Sequence, residues 1–475
     1  MKLFNTLSRK TEYFTPLKEV VSIYSCGPTV YDRVHIGNLV SFIFADVLRR
    51  AITANDMQAK HVMNITDVDD KTILRSGELY PKLDSDKALR ELADKYTQSF
   101  LDDSAAVGND IDALSFINAT DSAVIENMQK LISELYASGF AYIADDGVYF
   151  SIEKYEKSGK KYGQLSTITT QNTSRERIQN DEYDKQSVHD FVLWKLRKEG
   201  EPSWSFELDG HDLNGRPGWH IECSVMSSGS LGQPFDIHTG GIDLIFPHHE
   251  NEIAQSTAGK EDSMYAQFFV HNEHVLVDGK KMAKSAGNFI LLEDIIAKGY
   301  SPLAFRMLVL QSHYRSQAHF SWENLEAAKS RLNRWRNIAA LRWQTHDTLQ
   351  DDGEKTISLL SIPQAVVQAL SDDLGTPQAL KIIDDAFARL ENVPTTQIHR
   401  YSLVNLCETI DSALGLKLIN NTPDISDDQK RLILERNNAR DNRDWKRADS
   451  IRQQLSKEGV ILRDTEQGSI WEYSQ

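Results

Sequence analysis

The stretch that decides the fold is Cys26-Gly27-Pro28-Thr29-Val30-Tyr31-Asp32-Arg33-Val34-His35-Ile36-Gly37-Asn38. Residues 20–24 before it form an apolar, β-rich run that predicts a buried strand. Residues 39–52 after it carry apolar side chains at helical spacing, and residues 61–65 predict a second strand. The stretch is therefore the loop after the first strand of a β-α-β unit. Open α/β sheets bind nucleotides at such loops, and a helix N-terminus offers free N–H groups to phosphate.

The composition narrows the class of protein. With 475 residues the chain is long enough for roughly two to four domains. It has no run of 18 apolar residues, so we expect no transmembrane helix. The N-terminus shows no signal-peptide pattern. Three cysteines, Cys26, Cys223 and Cys407, are too few and too scattered for a disulfide framework, so we expect a cytoplasmic protein.

The net charge of -16 argues against a diffuse basic coat for nucleic acid. Two segments run against this trend. Residues 431–463 contain nine lysines or arginines against five acidic residues, and residues 321–343 contain five against two. Charge alone favours solvated helix faces as the explanation.

The pattern along the chain predicts an α/β region over residues 1–310, with an insertion at about 90–215 that separates two halves of a nucleotide-binding fold. Residues 275–282 predict a hairpin with Asp278-Gly279 at its turn. Residues 311–420 form a helical region, whose first helix is marked by an apolar stripe. The stripe consists of Leu325, Ala328, Leu332, Trp335 and Ala339. A polar linker then leads to a small C-terminal unit, residues 430–475.

Four side chains form a candidate metal site. His248 and Glu252 are four residues apart in a helical stretch and share one face. With Cys26 and Cys223 they make a Cys/Cys/His/Glu set that suits Zn²⁺. Taken singly, Cys223 is better explained as a buried small hydrophobe and His248 as an ordinary histidine at a helix N-terminus.

The third cysteine is predicted to have a structural role, and the roles of three further histidines stay open. Cys407 lies on an apolar stripe and is predicted to be core. Three further histidines either line the pocket or are satisfied polar residues. They are His220, His238 and His249.

The sequence CGPTVYD followed by His35-Ile36-Gly37-Asn38 resembles the HIGH motif region of class I aminoacyl-tRNA synthetases, and more narrowly that of cysteinyl-tRNA synthetases. Lys281-Met282-Ala283-Lys284-Ser285 is similar to the second class I motif, KMSKS. The chain departs from the family pattern at three positions. Asn38 replaces the last histidine of HIGH, Ala283 replaces a serine, and Thr239 stands where a further glycine is usual.

The resemblance implies a Rossmann-like class I catalytic domain with an insertion, followed by a helical bundle domain and a small anticodon-binding domain. It implies a cysteine–tRNA ligase activity whose nucleotide substrate is ATP with Mg²⁺. It also implies one Zn²⁺ per chain that selects the cysteine thiolate. The implied zinc ligands are Cys26, Cys223, His248 and Glu252. The implied catalytic and ATP-binding residues are His35, Gly37, Asn38, Gly240, Gly241, Asp243, Lys281 and Lys284, of which His35, Asn38, Lys281 and Lys284 are the catalytic set. The implied cysteine-binding residues are Gly27, Thr29, Thr66 and Trp219.

The C-terminal residues 436–449 resemble the family's anticodon-binding tail, and arginine and tryptophan suit phosphate contact and base stacking. The expected partners are tRNA(Cys), L-cysteine and ATP, with no membrane, for a chain that we expect to be a monomer. The candidate tRNA contacts are Arg436, Arg440, Trp445 and Asp449.

The zinc would explain selectivity. A free cysteine thiol has a pKa of about 8.5, which zinc lowers, whereas a serine hydroxyl is a poor zinc ligand. A pocket that measured size alone would separate such near-isosteres only roughly 10- to 200-fold. No editing domain is evident in the sequence.

Three rival functions would each account for only part of these motifs. A cysteine ligase acting on an amino sugar would share the core and the zinc but lack the tail at 430–475. An inactive tRNA-binding paralogue would have no need of His35, Lys281 and Lys284. A structural zinc protein would have no use for the lysine loop.

Overall fold

A computed structural model of the chain describes residues 1–166, 190–261, 263–282, 288–344, 356–465 and 468–474. The chain divides into two compact units. The first comprises Met1–Lys298 with Tyr314–His319, and the second comprises Gly299–His313 with Phe320–Gln475. Within these described ranges no helix has the length and apolar character needed to cross a bilayer.

The first unit is organised around a sheet of five parallel strands in the order β13-β12-β3-β4-β5. The sequence predictions of a strand at 20–24 and a strand at 61–65 are confirmed as β3 and β4. In chain order the strands are β1 (Lys2–Asn5), β2 (Lys10–Tyr13), β3 (Val20–Ser25), β4 (Gln58–Ile65), β5 (Leu114–Asn118), β6 (Ala141–Ile143), β7 (Gly147–Phe150), β8 (Phe191–Leu196), β9 (Glu207–Leu208), β10 (His211–Asp212), β11 (Gly215–Pro217), β12 (Phe235–Gly241), β13 (Ala266–Asn272), β14 (Val275–Val277), β15 (Lys280–Lys281), β16 (Ala318–Phe320), β17 (Val460–Thr465) and β18 (Gly468–Tyr473).

The helices cover the sheet and make up most of the second unit. The predicted helix at 39–52 is confirmed, and it begins three residues earlier, at Ile36, because the side chain of His35 caps it. In chain order the helices are α1 (Ile36–Ala54), α2 (Asp70–Leu79), α3 (Ser85–Ala106), α4 (Ser122–Ala137), α5 (Ile152–Lys157), α6 (Trp219–Leu231), α7 (Glu250–Thr257), α8 (Leu292–Ala297), α9 (Pro302–Leu310), α10 (Trp322–Ala340), α11 (Ile362–Ser371), α12 (Thr376–Ala388), α13 (Arg400–Leu414), α14 (Leu418–Asn421), α15 (Asp427–Asp441) and α16 (Trp445–Lys457).

The order of the strands places a crevice at the end of β3. The chain passes from β3 to β4 on one side, and β12 pairs with β3 on the other. Ligands bind where the strand order reverses in this way, outside the carboxyl ends of the strands. Ser25 at the end of β3 pairs with Thr239 near the end of β12, so Cys26 and Gly240 enter the same crevice.

The inserted region differs from its predicted boundary. Strand β5 belongs to the main sheet, although the sequence prediction assigned residues from about 90 onward to the insertion. The separate antiparallel sheet contains β11, β8, β7 and β6 in that order, and we call it the inserted sheet. Strand β5 is an edge strand whose residues are mostly half-buried, so it lacks the continuous apolar run of a central strand.

The second unit has a helical core. The predicted stripe on α10 is confirmed, since all five of its residues are buried, and Trp335 donates a hydrogen bond to Asp384 at 2.7 Å. Cys407 on α13 is fully buried, as predicted for a core residue. The C-terminal end of the unit packs α15, α16, β17 and β18 around a small apolar cluster that includes Leu455 and Trp471.

Candidate active site

The crevice at the end of β3 is a cleft of about 660 Å³, within the range of about 300–1,000 Å³ typical of small-molecule sites. The structure brings together here residues that were predicted from separate parts of the sequence. The predicted residues that line the cleft are Cys26, Gly27, Thr29, His35, Asn38, Trp219, Gly241 and Asp243.

Four candidate metal ligands meet at the base of the cleft. The donor atoms of Cys26, Cys223, His248 and Glu252 all lie within 4.8 Å of one another, and we call these residues the ligand cluster. The two Sγ atoms are 3.8 Å apart, and both cysteines are free thiols. Two sulfurs each about 2.3 Å from a tetrahedral Zn²⁺ would be about 3.8 Å apart. The residues therefore fit the metal that the sequence implied.

Four elements supply the ligand cluster. Cys26 follows β3, and its backbone N–H donates to the carbonyl of Thr239 at 3.1 Å. Cys223 lies one turn into α6. His248 lies in the kinked segment Ile245–His249, in which Phe246 has extended φ and ψ of -133° and 132°, and Glu252 lies in the first turn of α7. The Nε2 atom of His248 is 3.0 Å from Oε1 of Glu252, as their four-residue spacing predicted.

A second set of donors shares two residues with the ligand cluster. The donor atoms of His238 and His249 lie within 4.8 Å of those of Cys26 and Glu252. His249 Nε2 is 3.3 Å from Cys26 Sγ, and His238 Nε2 is 2.8 Å from Glu252 Oε2. The sequence left the roles of these two histidines open. The first set contains both thiolates and is the better match to soft zinc ligands.

Burial controls the protonation of these groups. It lowers the pKa of His248 to about 3, so its imidazole is neutral and its lone pair is available to a metal. It raises the pKa of both cysteine thiols, Cys26 and Cys223. Burial opposes ionisation of Glu252, but His238 and His248 outweigh it and lower the pKa of that carboxyl. The cluster thus offers a carboxylate and a neutral imidazole, while the buried thiols need a cation in order to ionise.

A second layer of contacts fixes the orientation of the ligands. Tyr265 donates its hydroxyl proton to Glu252 Oε2 at 2.7 Å, which leaves Oε1 facing His248. On its other side, the His248 ring stacks on Trp219, with ring centroids 4.2 Å apart, and its Nδ1 shares a hydrogen bond of 2.9 Å with Nδ1 of His220. Such outer partners orient ligands and tune a metal. Sequence reasoning missed Tyr265, which follows a polar loop and carries no motif.

Three of the four predicted cysteine-binding residues, Gly27, Thr29 and Thr66, are connected by hydrogen bonds. The N–H of Gly27 donates to Oδ1 of Asn64 at 2.8 Å, and the amide of Asn64 donates to Thr66 at 3.0 Å. Thr66 in turn donates to Oε2 of Glu222 at 2.8 Å. Thr29 forms a β-bridge with Thr66. Asn64 and Glu222 were not predicted as site residues, although both stand beside predicted ones in the sequence.

The HIGH-like residues form the entrance of α1. His35 Nδ1 accepts from the N–H of Asn38 at 3.2 Å, and Oδ1 of Asn38 accepts from the N–H of His35 at 3.3 Å. This reciprocal capping box gives the departure from HIGH a structural role, because an asparagine side chain can accept the bond. A Cβ on Gly37 would lie 2.9 Å from the His35 ring. Gly240 and Gly241 end β12, and Asp243 follows them in the turn Ile242–Leu244.

The predicted hairpin before the second motif is confirmed. Strand β14 pairs antiparallel with β15, and its turn residues Asp278 and Gly279 have φ of 48° and 75°. Positive φ at both turn positions is typical of a type I′ turn. Lys281 ends β15. Lys284 and Ala283 lie outside the described residues.

The candidate tRNA contacts are spread over the C-terminal end of the second unit. Trp445 at the start of α16 is 58 % exposed, and Asp449 is also exposed. Arg436 is 4 % exposed and donates to Asp464 and Ser469, so a structural role accounts for this guanidinium. Arg440 is half-buried and pairs with Asp464 as well. As tRNA contacts, all four stay predictions.

Most of the chain matches two known protein-family models. Residues 13–330 match the family described as tRNA synthetases class I (C) catalytic domain, and residues 422–471 match the Cysteinyl-tRNA ligase anticodon binding domain. The chain belongs to the cysteine–tRNA ligases. The resemblance that the motifs carried, and the fold class that it implied, are confirmed.

Full-length relatives agree with the family. A cysteine–tRNA ligase of Leptospira interrogans (serovar copenhageni) is 38 % identical over 99 % of this chain and 99 % of its own length. One of Chlamydia caviae is 37 % identical over 98 % of this chain and 96 % of its own length. The match at 422–471 disfavours the amino-sugar ligase, which lacks that tail.

Solved structures of two other aminoacyl-tRNA synthetases are similar in fold to this chain. Agrobacterium radiobacter LeuRS, in a ternary complex with tRNA and LeuAMS, matches with a TM-score of 0.61 at 11 % identity, covering 87 % of this chain and 86 % of that one. Mycobacterium tuberculosis methionyl-tRNA synthetase, in complex with methionyl-adenylate, matches with a TM-score of 0.56 at 13 % identity, covering 85 % and 92 %. At such identities the likeness concerns the fold alone.

Proposed function

We propose that this chain activates L-cysteine with ATP and transfers it to tRNA(Cys), and that one Zn²⁺ per chain at Cys26, Cys223, His248 and Glu252 selects the substrate thiolate. In the first step an oxygen of the cysteine carboxylate attacks the α-phosphorus of ATP, and the bond to pyrophosphate breaks. In the second, a hydroxyl of the terminal ribose attacks the carbonyl carbon of the adenylate and AMP leaves. The observation that carries the proposal is the ligand cluster at the base of a class I cleft.

The cluster supports selection of a thiol. When bound, zinc would supply a Lewis acid that lowers the pKa of a ligating thiol. The chain's own residues shape the surroundings: Trp219 forms a wall of the cleft, and Gly27 and Thr66 belong to the network fixed by Asn64 and Glu222. Because Tyr265 and His238 occupy Oε2 of Glu252, this carboxylate can offer a metal only Oε1. Glu252 would therefore hold the metal through a single oxygen.

The nucleotide subsite lies at the entrance of α1. We assign the adenosine to Gly240, Gly241 and Asp243, with Asp243 on the ribose. The N-terminus of α1 and His35 face the phosphates, where charge develops on the α-phosphate oxygens. Lys281 and Lys284 would supply the opposing cations, with Mg²⁺ carried by ATP.

The tRNA subsite belongs to the C-terminal end of the chain. Among the candidates there, Trp445 is the strongest because its ring is exposed and suits stacking on an unpaired base. Arg440 and Asp449 follow, and Arg436 is the weakest because it is buried. A monomeric state also belongs to this proposal.

The first test is ATP–pyrophosphate exchange with a panel of amino acids that includes cysteine, serine and alanine, measured together with metal content. We expect exchange with cysteine only, and about one Zn²⁺ per chain. Full cysteine activation by protein freed of metal would refute the zinc assignment.

The second test compares Cys223→Ser with Cys407→Ser. Both cysteines are fully buried, but only Cys223 lies in the ligand cluster. We expect Cys223→Ser to lower zinc content and raise the KM for cysteine, since a hydroxyl is a poor zinc ligand. Cys407→Ser should retain zinc and the wild-type KM. Equal zinc content in the two variants would remove Cys223 from the site.

A further inference from the structure

We propose that Asp70 is a positioning residue for cysteine binding: it holds Arg216, and through Arg216 it sets the first turn of α6, which carries the Trp219 wall and the contacts to His248. The inference rests on the proposed function, because it concerns the cysteine pocket. Asp70 does not reach the ligand cluster itself. Its carboxylate lines the same cleft as Trp219.

Two buried cationic side chains lie against the carboxylate of Asp70 and need a negative charge beside them. Lys195 on β8 and Arg216 on β11 are directly paired across the inserted sheet, and they are 8 % and 1 % exposed. Like charges directly opposite on neighbouring strands repel, and burial makes an uncompensated charge costly. Nζ of Lys195 lies 2.8 Å from one oxygen of Asp70, and Arg216 donates to the other. One carboxylate therefore contacts both cations, while Glu201 also faces Arg216 at 3.5 Å.

Asp70 is well placed for this task. It is the first residue of α2, where the helix N-terminus favours a negative charge. Burial opposes its ionisation, but Lys195 and Arg216 outweigh that effect and hold the pKa of Asp70 below its usual range. The carboxylate therefore stays ionised at neutral pH and ties α2, beside the main sheet, to two strands of the inserted sheet.

The segment from Arg216 to α6 transmits the position. The N–H of Gly218 donates to the carbonyl of Leu193 at 2.9 Å, and a Cβ on Gly218 would lie 2.3 Å from the carbonyl oxygen of Val192. The chain is thus pressed against β8 at this joint. Trp219 is the next residue and begins α6. Because the backbone between Arg216 and Trp219 is tightly packed, a shift of Arg216 is expected to move Trp219 as well.

The first turn of α6 contacts one metal-ligand candidate from two directions. Trp219 stacks on the His248 ring with an interplanar angle of 20°, and His220 shares a hydrogen bond with its Nδ1. Moving this turn would displace both the wall of the cysteine pocket and the plane of the His248 imidazole. The adenosine subsite at Gly240, Gly241 and Asp243 is built on another strand and should be unaffected.

The test uses the full-length protein with Asp70→Asn, Asp70→Glu and the control Glu201→Gln. Glu201 also faces Arg216, but at 3.5 Å and away from the residues that line the cleft. In ATP–pyrophosphate exchange we expect Asp70→Asn to raise the KM for cysteine about tenfold or more, because small misplacements weaken productive binding. The KM for ATP should change less than about twofold. Asp70→Glu should recover most of the loss, and Glu201→Gln should resemble wild type.

Two further measurements separate positioning from general damage. Asp70→Asn combined with Trp219→Phe should raise the KM for cysteine by less than the product of the single effects, since both act on one contact. Hydrogen–deuterium exchange over residues 215–222 should increase in Asp70→Asn and not in Glu201→Gln. The exchange measurement does not depend on the proposed function, so it still tests the link if wild-type protein fails to activate cysteine. Multiplicative effects, an unchanged KM for cysteine, or unchanged protection of residues 215–222 would each overturn the proposal.

Discussion

The backbone around Gly27 leaves no room for a side chain. A Cβ at this position would lie 1.7 Å from the carbonyl oxygen of Asn64, and 2.8 Å from the side chain of Met63. Because a neighbouring backbone cannot move aside cheaply, Gly27→Ala should force apart the ends of β3 and β4. Overpacking of this kind typically costs about 1–3 kcal/mol. We expect a lower melting temperature and a higher KM for cysteine, measured by calorimetry and pyrophosphate exchange.

Gly77 supplies the matched control. It lies within α2, and a Cβ there would meet nothing within 4 Å. Alanine is favoured over glycine in a helix interior by about 0.5–1 kcal/mol, so Gly77→Ala should raise the melting temperature slightly and leave the KM unchanged. If Gly27→Ala melted like Gly77→Ala, the close approach at Gly27 would be contradicted.

Some site residues could be predicted from the sequence and others could not. Cys26, His35 and Lys281 stand in motifs, so the sequence pointed to them directly. Tyr265 and His238 have no motif, and they reach Glu252 only because β12 and the segment before β13 pass beside α7. Long-range contacts of this kind have no local signature along the chain.

Secondary-structure elements at the C-terminus are joined by an ion pair between the buried Arg436 on α15 and the partly exposed Asp464 on β17. The guanidinium holds the pKa of Asp464 below its unfolded value of 3.8. This contribution to stability is therefore present above about pH 4 and is lost as pH falls toward the folded pKa. Removing one partner of a fully buried pair costs about 3–5 kcal/mol, and the cost should be smaller here because the Asp464 side chain is 32 % exposed.

This pair predicts a pH dependence. Hydrogen–deuterium exchange of residues 427–464, corrected for intrinsic rates, should show wild type losing protection as pH falls from about 4 to about 2. Arg436→Ala should start less protected and lose less over that interval. Arg447→Ala removes a surface pair with Glu435, 49 % exposed on both sides, and should cost at most about 1 kcal/mol. Equal pH slopes for Arg436→Ala and wild type would contradict the pairing.

Elements were predictable where periodicity was strong. Strand β3, helix α1 and the α10 stripe follow from apolar spacing alone. Strand β5, with Leu114 and Phe116 interrupted by polar residues, was assigned to the insertion because its pairing partner β4 lies about 50 residues earlier. A parallel edge strand is defined by its pairing with a strand that is distant in sequence. Because no tight turn connects the two strands, the local sequence does not indicate the pairing.

At the scale of the whole molecule, activation and tRNA recognition use different parts of the chain. Trp445→Ala should therefore leave cysteine-dependent pyrophosphate exchange intact. It should raise the KM for tRNA in aminoacylation, because stacking on one base contributes about 1–3 kcal/mol, or about 5- to 150-fold. Tyr401→Ala removes another exposed aromatic ring, 67 % accessible on α13, and should have little effect. Equal aminoacylation kinetics for the two variants would contradict the role of Trp445.

The ion pairs near the C-terminus also bear on how this region would respond to ionic strength. At least five of the nine basic residues between 431 and 463 already lie against carboxylates: Arg431, Arg436, Arg440, Arg447 and Arg463. An arginine neutralised within the protein displaces few cations from an RNA backbone, because its charge is already matched. The gain from counterion release on binding RNA should therefore be set mainly by the other basic side chains of the segment, at most four. Added salt would then weaken the complex less steeply than the formal charge of this segment implies.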